Sequence, residues 1–366
     1  MVKARPRLTQ RAFLAGCLVL VPLLPLALMQ GKAAPKEVIW GIIGCGDVVE
    51  KKSGPALQNA PRSRVAATMR RDKAKAEDFA RRHGIPRAYD DVDALLADPE
   101  INAVYIATPP GSHLEIALKV AAAGYPLYVE KPAARTAKEC ETMERAFSKL
   151  PLFVAYYRRA YPRYVALRDA LRGGRLGTIQ SVSYVFARRP APPRAGDWRH
   201  DAERSGGGRF VDIGSHALDL IDFLLGPLER VRASATGPAG QVETRVEMHF
   251  RIVGTSIDGT ATWDFEASEA EDLLIISGSE GSVRVPAAMN GRELVWPDGV
   301  ESYDPPDPVQ LPLVTKVVDA ILDGSECPST ASSSTRTSRA IDAALGHYYG
   351  GRSDAFWARP ETWNVV

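Results

Sequence analysis

Val38-Ile39-Trp40-Gly41-Ile42-Ile43 runs without a break into Gly44-Cys45-Gly46-Asp47-Val48-Val49. A short apolar, β-branched run bounded by glycine reads as a buried strand. The residues after the glycines read as a helix, so strand, tight turn and helix follow without a gap. That junction opens a dinucleotide-binding unit: Gly44 permits the turn and Gly46 lets a pyrophosphate approach the backbone. The helix then presents free N–H groups and its positive dipole end to the phosphate. Cys45, Asp47 and Val48 belong to the same phosphate turn. The third fingerprint position, usually Gly or Ala, is Val49. A lone G-x-G also occurs in turns that only connect a strand to a helix, so the strand before and the helix after carry the assignment.

Working outward, Arg64-Val65-Ala66-Ala67-Thr68-Met69 is a second strand ending in Arg70-Arg71-Asp72. An acidic residue at that end would bond the ribose 2′-hydroxyl of NAD, and an arginine would accommodate the 2′-phosphate of NADP. Arg70, with Arg71 beside it, therefore favours NADP, with NAD kept as the other choice. The plain alternative is a solvated turn in which Asp72 caps the next helix. That helix passes through Ala76, Phe79 and Ala80 and stops at His83-Gly84. Ala103-Val104-Tyr105-Ile106-Ala107 is a third strand, ending in Thr108-Pro109-Pro110. Ser112-His113-Leu114-Glu115 reads as a capping box that starts the following helix. His113 in its first turn either touches the cofactor or packs the loop.

The strand Pro126-Leu127-Tyr128-Val129 delivers Glu130 and Lys131 to its carboxyl end before Pro132 stops it. Ligands of open α/β sheets lie there, although a turn salt bridge would give the same residues. Thr136-Ala137-Lys138-Glu139 is a second capping box, and Leu152-Phe153-Val154-Ala155 closes the sheet. Repeated strand–helix alternation makes residues 37–155 a doubly wound parallel Rossmann sheet.

Beyond residue 155 the pattern changes. Residues 161–171 read as a helix and residues 178–187 as a half-buried strand. A glycine- and arginine-rich stretch, Trp198-Arg199-His200 through Gly206-Gly207-Gly208, leads to Phe210-Val211-Asp212-Ile213-Gly214-Ser215-His216. Asp212 and His216, four apart, would share a face of a helical first turn. Segments 243–250, 259–265, 272–277 and 282–285 alternate with glycine turns as strands of an open, mainly antiparallel sheet. Residues 156–366 thus form an α/β substrate domain whose solvated sheet face is a plausible surface for a homo-oligomer. The Ser/Thr-rich residues 330–337 and the prolines of 305–308 read as mobile connectors, and the aromatics from Tyr348 to Trp363 as a tail docked on the body.

At 366 residues the chain is too long for one core. Lys+Arg 46 against Asp+Glu 44 leaves no electrostatic footprint for nucleic acid. Cys17, Cys45, Cys140 and Cys327 are scattered, with neither a disulfide framework nor metal-ligand spacing, so no metal is expected. Residues 1–36 read as a leader. Lys3, Arg5, Arg7 and Arg11 precede an apolar run over 12–29, with no acid before Glu37. Thr9 to Leu14 resembles a twin-arginine export signal with Gln10 at the first arginine position. Pro22 and Pro25 disfavour a spanning helix, and Gly31-Lys32-Ala33 offers small residues for cleavage before Ala34. The expectation is an exported or membrane-anchored protein that touches the membrane only through this leader. The alternative is a cytoplasmic enzyme starting at Met29.

Taken together, Gly44-Cys45-Gly46-Asp47, Ala107-Thr108-Pro109-Pro110, Glu130-Lys131-Pro132 and Gly207-Gly208 through Asp212 and His216 resemble the glucose-fructose oxidoreductase, inositol dehydrogenase and rhizopine-catabolism (Gfo/Idh/MocA) family. The resemblance covers nearly everything after the leader. It implies an NAD(P)-dependent oxidoreductase acting on a CH–OH carbon of a sugar or polyol, with Lys131, Asp212 and His216 at the catalytic positions. His216 suits general acid/base work near neutral pH, Lys131 can stabilise charge on the substrate oxygen, and Asp212 would orient the imidazole or the substrate hydroxyl. Tyr157, Arg158, Trp198 and Arg199 are placed to line the sugar side. Departures are Val49, Arg70 in place of an acid, and the leader. Two other functions fit the fold: an NADP-binding regulator without turnover, and a glycosidase using transient oxidation. An exported form would have to retain its cofactor tightly, which implies paired half-reactions on two sugars.

Overall fold

The computed structural model describes Met1, residues 35–189 and residues 196–364. The expected leader lies outside the described residues up to residue 34. Among the described residues no helix is long and apolar enough to cross a membrane. The described residues from 35 onward form one compact unit built on two sheets.

The first sheet has six strands: Val38–Ile43 (β1), Ser63–Met69 (β2), Arg87–Tyr89 (β3), Ala103–Ile106 (β4), Leu127–Val129 (β5) and Leu152–Val154 (β6). Their order is β3-β2-β1-β4-β5-β6 and every pairing is parallel. This is the doubly wound order with its switch point between β1 and β4. β4 and β5 are buried throughout, which is why they read as unbroken apolar runs. The register places Met69, Ile43, Ile106, Val129 and Val154 in one row. The residues one step beyond, Arg70, Gly44, Ala107, Glu130 and Ala155, therefore form a common rim at the carboxyl edge. That rim is where the site must lie.

Local signals explain most helix ends. Asp72 accepts from the Lys75 N–H and opens Lys73–His83, which stops at Gly84 with φ +64°. Thr136 accepts from the Glu139 N–H and opens Ala137–Ala146, but the Glu139 carboxylate bonds the Arg135 N–H at 2.9 Å in place of closing a capping box. The box expected at Ser112 does not form either. A 3-10 turn over Pro110–Ser112 leaves Ser112 with helical φ and ψ, and its hydroxyl donates back to Thr108 and Pro109.

The second sheet is made of Ile179–Ala187 (β7), Leu228–Thr236 (β8), Arg245–Ile252 (β9), Asp258–Asp264 (β10), Glu271–Gly278 (β11), Gly281–Pro286 (β12), Glu293–Trp296 (β13) and Gly299–Ser302 (β14). Its order is β14-β13-β12-β11-β7-β10-β9-β8, antiparallel except where β7 pairs β10. One buried core runs from Trp40 and Tyr128 on one side of the first sheet to Tyr184 and Trp263 on the inner side of the second. Each such aromatic contributes about 1.5–3 kcal/mol by leaving water. The helix Ser215–Leu225 is buried through Leu224, as a helix threading the core must be.

The stretch expected as a connector over 330–337 is instead a helix. Thr330 forms a capping box with Ser333 and opens Ala331–Leu345. Two of its buried hydroxyls are satisfied within the helix, Thr335 bonding the Ala331 carbonyl and Thr337 the Ser333 carbonyl, while Ser338 meets Cys140 and Ser334 has no partner. Hydroxyls that bond their own helix lose the cost of burial that made the stretch look like a loop. Residues 305–308 do lie outside regular elements. The aromatic tail docks as expected, with Tyr349, Phe356 and Trp363 buried against one another.

Candidate active site

The glycine turn sits at the middle of the rim. Gly44 has φ +97°, and a Cβ there would lie 2.9 Å from the Ala107–Thr108 peptide, so only glycine fits between β1 and β4. Its N–H bonds the Met69 carbonyl at 2.9 Å. The Cys45 side chain points inward to Thr68 and the Met69 carbonyl, and burial raises its thiol pKa. Gly46 and Asp47 are exposed, and a Cβ on Gly46 would meet nothing within 4 Å. The chain then passes half-buried Val48 into a π-turn over Val49–Ser53 and the helix Gly54–Asn59. An exposed glycine with free space at a helix entrance, on the carboxyl rim of a doubly wound sheet, fits a dinucleotide phosphate. Arg70 folds across this turn, its Nη1 donating to the Cys45 carbonyl at 3.1 Å, while Arg71 is exposed.

Two rim residues turn away from that space. The Glu130 carboxylate is buried and accepts from Tyr105 Oη and Gln310 Nε2, both at 2.7 Å. His113 is fully buried, with Nε2 2.7 Å from the Thr108 carbonyl and Nδ1 3.2 Å from those of Pro132 and Ala133. Of the two roles open to it, His113 takes the packing one, tying the Thr108-Pro109 loop to the loop after β5. Burial lowers its pKa.

Lys131 faces the opposite way from Glu130. Its Nζ donates to the Asp212 carbonyl at 2.9 Å and forms a short ion pair with the Asp212 carboxylate. Arg199 Nε donates to the other carboxylate oxygen at 2.8 Å. Burial alone would raise the pKa of Asp212, but Lys131 and Arg199 outweigh it and hold the group well below the usual carboxylate range. Asp212 is therefore a permanent anion.

His216 stands apart from Asp212. Asp212 lies in a π-turn over Phe210–Gly214 and His216 in the helix that follows it. The two side chains share no hydrogen bond, because the Asp212 carboxylate is taken by partners from other segments. Asp212 is spent on Lys131 and Arg199, whereas His216 packs edge-on against Tyr156 and Tyr157, with ring centroids 6.0 and 5.3 Å away. Its Nδ1 is buried without a partner. Burial, reinforced by Arg158, Lys131 and Lys52, holds its pKa well below the ordinary histidine value, so the imidazole is neutral.

Tyr157 bridges His216 and Arg158, whose guanidinium lies 4.9 Å from the Tyr157 ring centroid. Arg158 is buried and donates to the Met289 carbonyl, and its Nη1 has no partner. Trp198 stacks under Arg199 at 4.4 Å. Lys131, Asp212, Arg199 and Trp198 are thus joined in one chain of contacts, and His216, Tyr157 and Arg158 in another.

Sequence reasoning missed the support behind both. Arg159 is paired with Asp219 and Asp222, and Asp219 lies on the helix of His216. Burial, opposed by Arg159, raises Asp219 to about 6. Glu243 accepts the Gly208 N–H with both oxygens at 2.9 Å. Alternating burial in β9 gives no sign of these partners, and an acid just outside a strand looks like surface. Among the described residues no group of His, Cys, Asp or Glu could hold a metal ion.

Residues 38–157 match the model of the GFO/IDH/MocA oxidoreductase family with its NAD-binding Rossmann fold, and residues 164–284 match a C-terminal domain model of the same family. Oxidoreductase P35 of Formosa agariphila is 32% identical over 318 residues, covering 85% of this chain and 99% of that protein. Trans-1,2-dihydrobenzene-1,2-diol dehydrogenase of Sus scrofa is 30% identical over 253 residues, covering 67% of this chain and 73% of that protein. Among solved structures, levoglucosan dehydrogenase in complex with NADH and levoglucosan superposes with a TM-score of 0.74 at 22% identity, over 84% of this chain and 96% of that one. That likeness is one of fold.

Proposed function

The chain belongs to the GFO/IDH/MocA oxidoreductase family, and from that premise we propose that it moves hydride between NADP and a CH–OH carbon of a sugar or polyol. The observation that carries the proposal is the Lys131 amine, held by Asp212 at the carboxyl rim, with the neutral imidazole of His216 nearby and its Nδ1 unpartnered. A diol dehydrogenase among the relatives supports a substrate with neighbouring hydroxyls.

A bound nicotinamide supplies the hydride acceptor, or the donor in reverse. The turn at Gly44 and Gly46 would hold the pyrophosphate, and Arg70 at the end of β2 would accommodate a 2′-phosphate, which favours NADP over NAD. Lys131 would donate a hydrogen bond to the substrate oxygen and stabilise charge developing there. Asp212 aims the amine but, held as an anion, carries no proton. His216 would take the hydroxyl proton as the C–H bond gives up its electron pair and the carbonyl forms. Its lowered pKa makes it a base that passes this proton on readily to water. Tyr157 and Arg158 back the imidazole, and Trp198 with Arg199 would cover the open side of the sugar.

For an exported form we propose retained cofactor and paired half-reactions. Half-buried Val185, Leu273 and Ile275 share the open sheet face and support self-association there. The test is absorbance of the purified protein, with NADP, against a panel of sugars, polyols and diols. Growth of the reduced-nicotinamide band with at least one substrate is expected. Binding of NADP with no redox change on any of them would favour the regulator or the glycosidase.

A further inference from the structure

Residues 346–364 lie beyond the matched family models and fold back onto the site from behind. Tilted and edge-on packing of Tyr349 against Phe356 and Trp363, with centroids 4.7 and 5.0 Å apart, anchors Arg352, whose side chain is 1% exposed. Its Nη1 donates to the Gly206 carbonyl at 2.7 Å, its Nη2 to the Arg135 carbonyl at 2.8 Å and its Nε to Asp342 at 2.9 Å. The rigid fork of a guanidinium fixes how far apart those acceptors stand.

The two carbonyls belong to the two loops that carry the chemistry. Arg135 closes the loop that Lys131 opens, and Gly206 begins the turn that leads to Asp212. The loops touch: a Cβ on Gly206 would lie 2.7 Å from the Arg135 Cα. The tail holds the second loop at another point as well, because Tyr349 Oη donates to Glu243, which in turn accepts the Gly208 N–H. Arg352 also reaches the helix after Lys131 through Asp342, which accepts the Ala137 N–H at 2.8 Å.

We propose that Arg352 is a positioning residue: by bridging the Arg135 and Gly206 carbonyls it sets the spacing of Lys131 from Asp212 and hence the presentation of the Lys131 amine to substrate. The proposal rests on the hydride-transfer function above. Displacements of about 1 Å far from the reacting atoms can cost about 100-fold in rate, and this junction controls such a displacement directly.

The experiment uses the full chain with Arg352→Gln, which removes the fork, and Arg352→Lys, which keeps the charge and one bond should the first variant fail to fold. Amide hydrogen exchange is followed in residues 44–59, 130–136 and 206–214, together with NADP affinity and turnover. The expected result is faster exchange in 130–136 and 206–214 together, unchanged exchange in 44–59, and NADP affinity within about twofold, as for well-separated sites. Turnover should fall about 10- to 100-fold with a smaller change in KM, the lysine variant lying between. Faster exchange confined to 346–364, or turnover falling only in step with the folded fraction, would overturn the proposal. If the wild-type protein turns over no substrate, the function fails by itself, and the exchange pattern still decides whether Arg352 couples the two loops.

Discussion

Two glycine-rich turns enter helices in this chain by the same device, a π-turn, at Val49–Ser53 and at Phe210–Gly214. Such turns cluster at functional sites, yet Gly46 of the first and the glycines of the second serve opposite purposes. At Gly46 a side chain would meet nothing, so the first turn leaves space for a ligand. In the second, a Cβ would strike Arg135 from Gly206, Val211 from Gly207 and Glu243 from Gly208, all within 3 Å. That turn uses its space to bring Asp212 onto Lys131. A similar run of glycines thus makes a binding surface in one place and a fixed geometry in the other.

The largest expected effect separates chemistry from binding. Lys131→Met should lower kcat by about 10²- to 10⁴-fold while NADP still binds at the first turn, as steady-state kinetics and cofactor fluorescence would show. Loss of both together would mean that the two turns are not separable. Next in size, Arg70→Asp should cost NADP about 1.5–3 kcal/mol of affinity, the worth of a charged hydrogen bond, and shift preference to NAD in competition binding. An unchanged preference would leave Arg70 as a brace for the Cys45 carbonyl only.

The glycines themselves sharpen the contrast. Gly208→Ala should destabilise the fold by about 1–3 kcal/mol through overpacking, measured by urea unfolding. Gly46→Ala should stay within about 0.5 kcal/mol of wild type and weaken NADP binding instead. Equal stability losses at the two positions would erase the distinction.

The smallest expected effect is the absence of a pH break. With His216 held below its ordinary pKa of about 6.5, kcat/KM for oxidation should stay level down through that pH and fall only below it. The sign for stability follows: a buried neutral histidine supports folding above about pH 6.5, and that support is lost as pH falls toward its lowered pKa. A pH–rate profile that breaks at the ordinary histidine value would place His216 in water.

Legibility followed the two kinds of turn. Five of the six strands of the first sheet could be read because parallel buried strands are continuous apolar runs closed by turns, while β3, three half-buried residues at the edge, was missed. The boundaries at β1, β2 and β4 fall within a residue or so of the sequence reading. β8 was missed because its exposed Arg230, Arg232 and Ser234 dilute an edge strand, and β13 and β14 because they span four residues each. The helix Ala331–Leu345 was hidden by hydroxyls that bond their own turns. At the site, Lys131 and Asp212 were legible as residue types at strand and helix ends. The split between Asp212 and His216 was not, because the partners that take the Asp212 carboxylate come from other segments and leave no mark in residue spacing. The Arg352 bridge was illegible for a different reason: it acts through backbone carbonyls, which carry no sequence signal.

Transfer of deuterium from a substrate labelled at the carbinol carbon to NADP, followed by the mass of the cofactor in wild type and in Lys131→Met, tests the central claim most directly. The account requires that wild-type protein load deuterium onto NADP in a single turnover and that the variant, with cofactor bound, load it far more slowly. NADP that binds but stays unlabelled in the wild type, or a variant that labels it at the wild-type rate, would contradict hydride transfer at the Lys131–Asp212 pair.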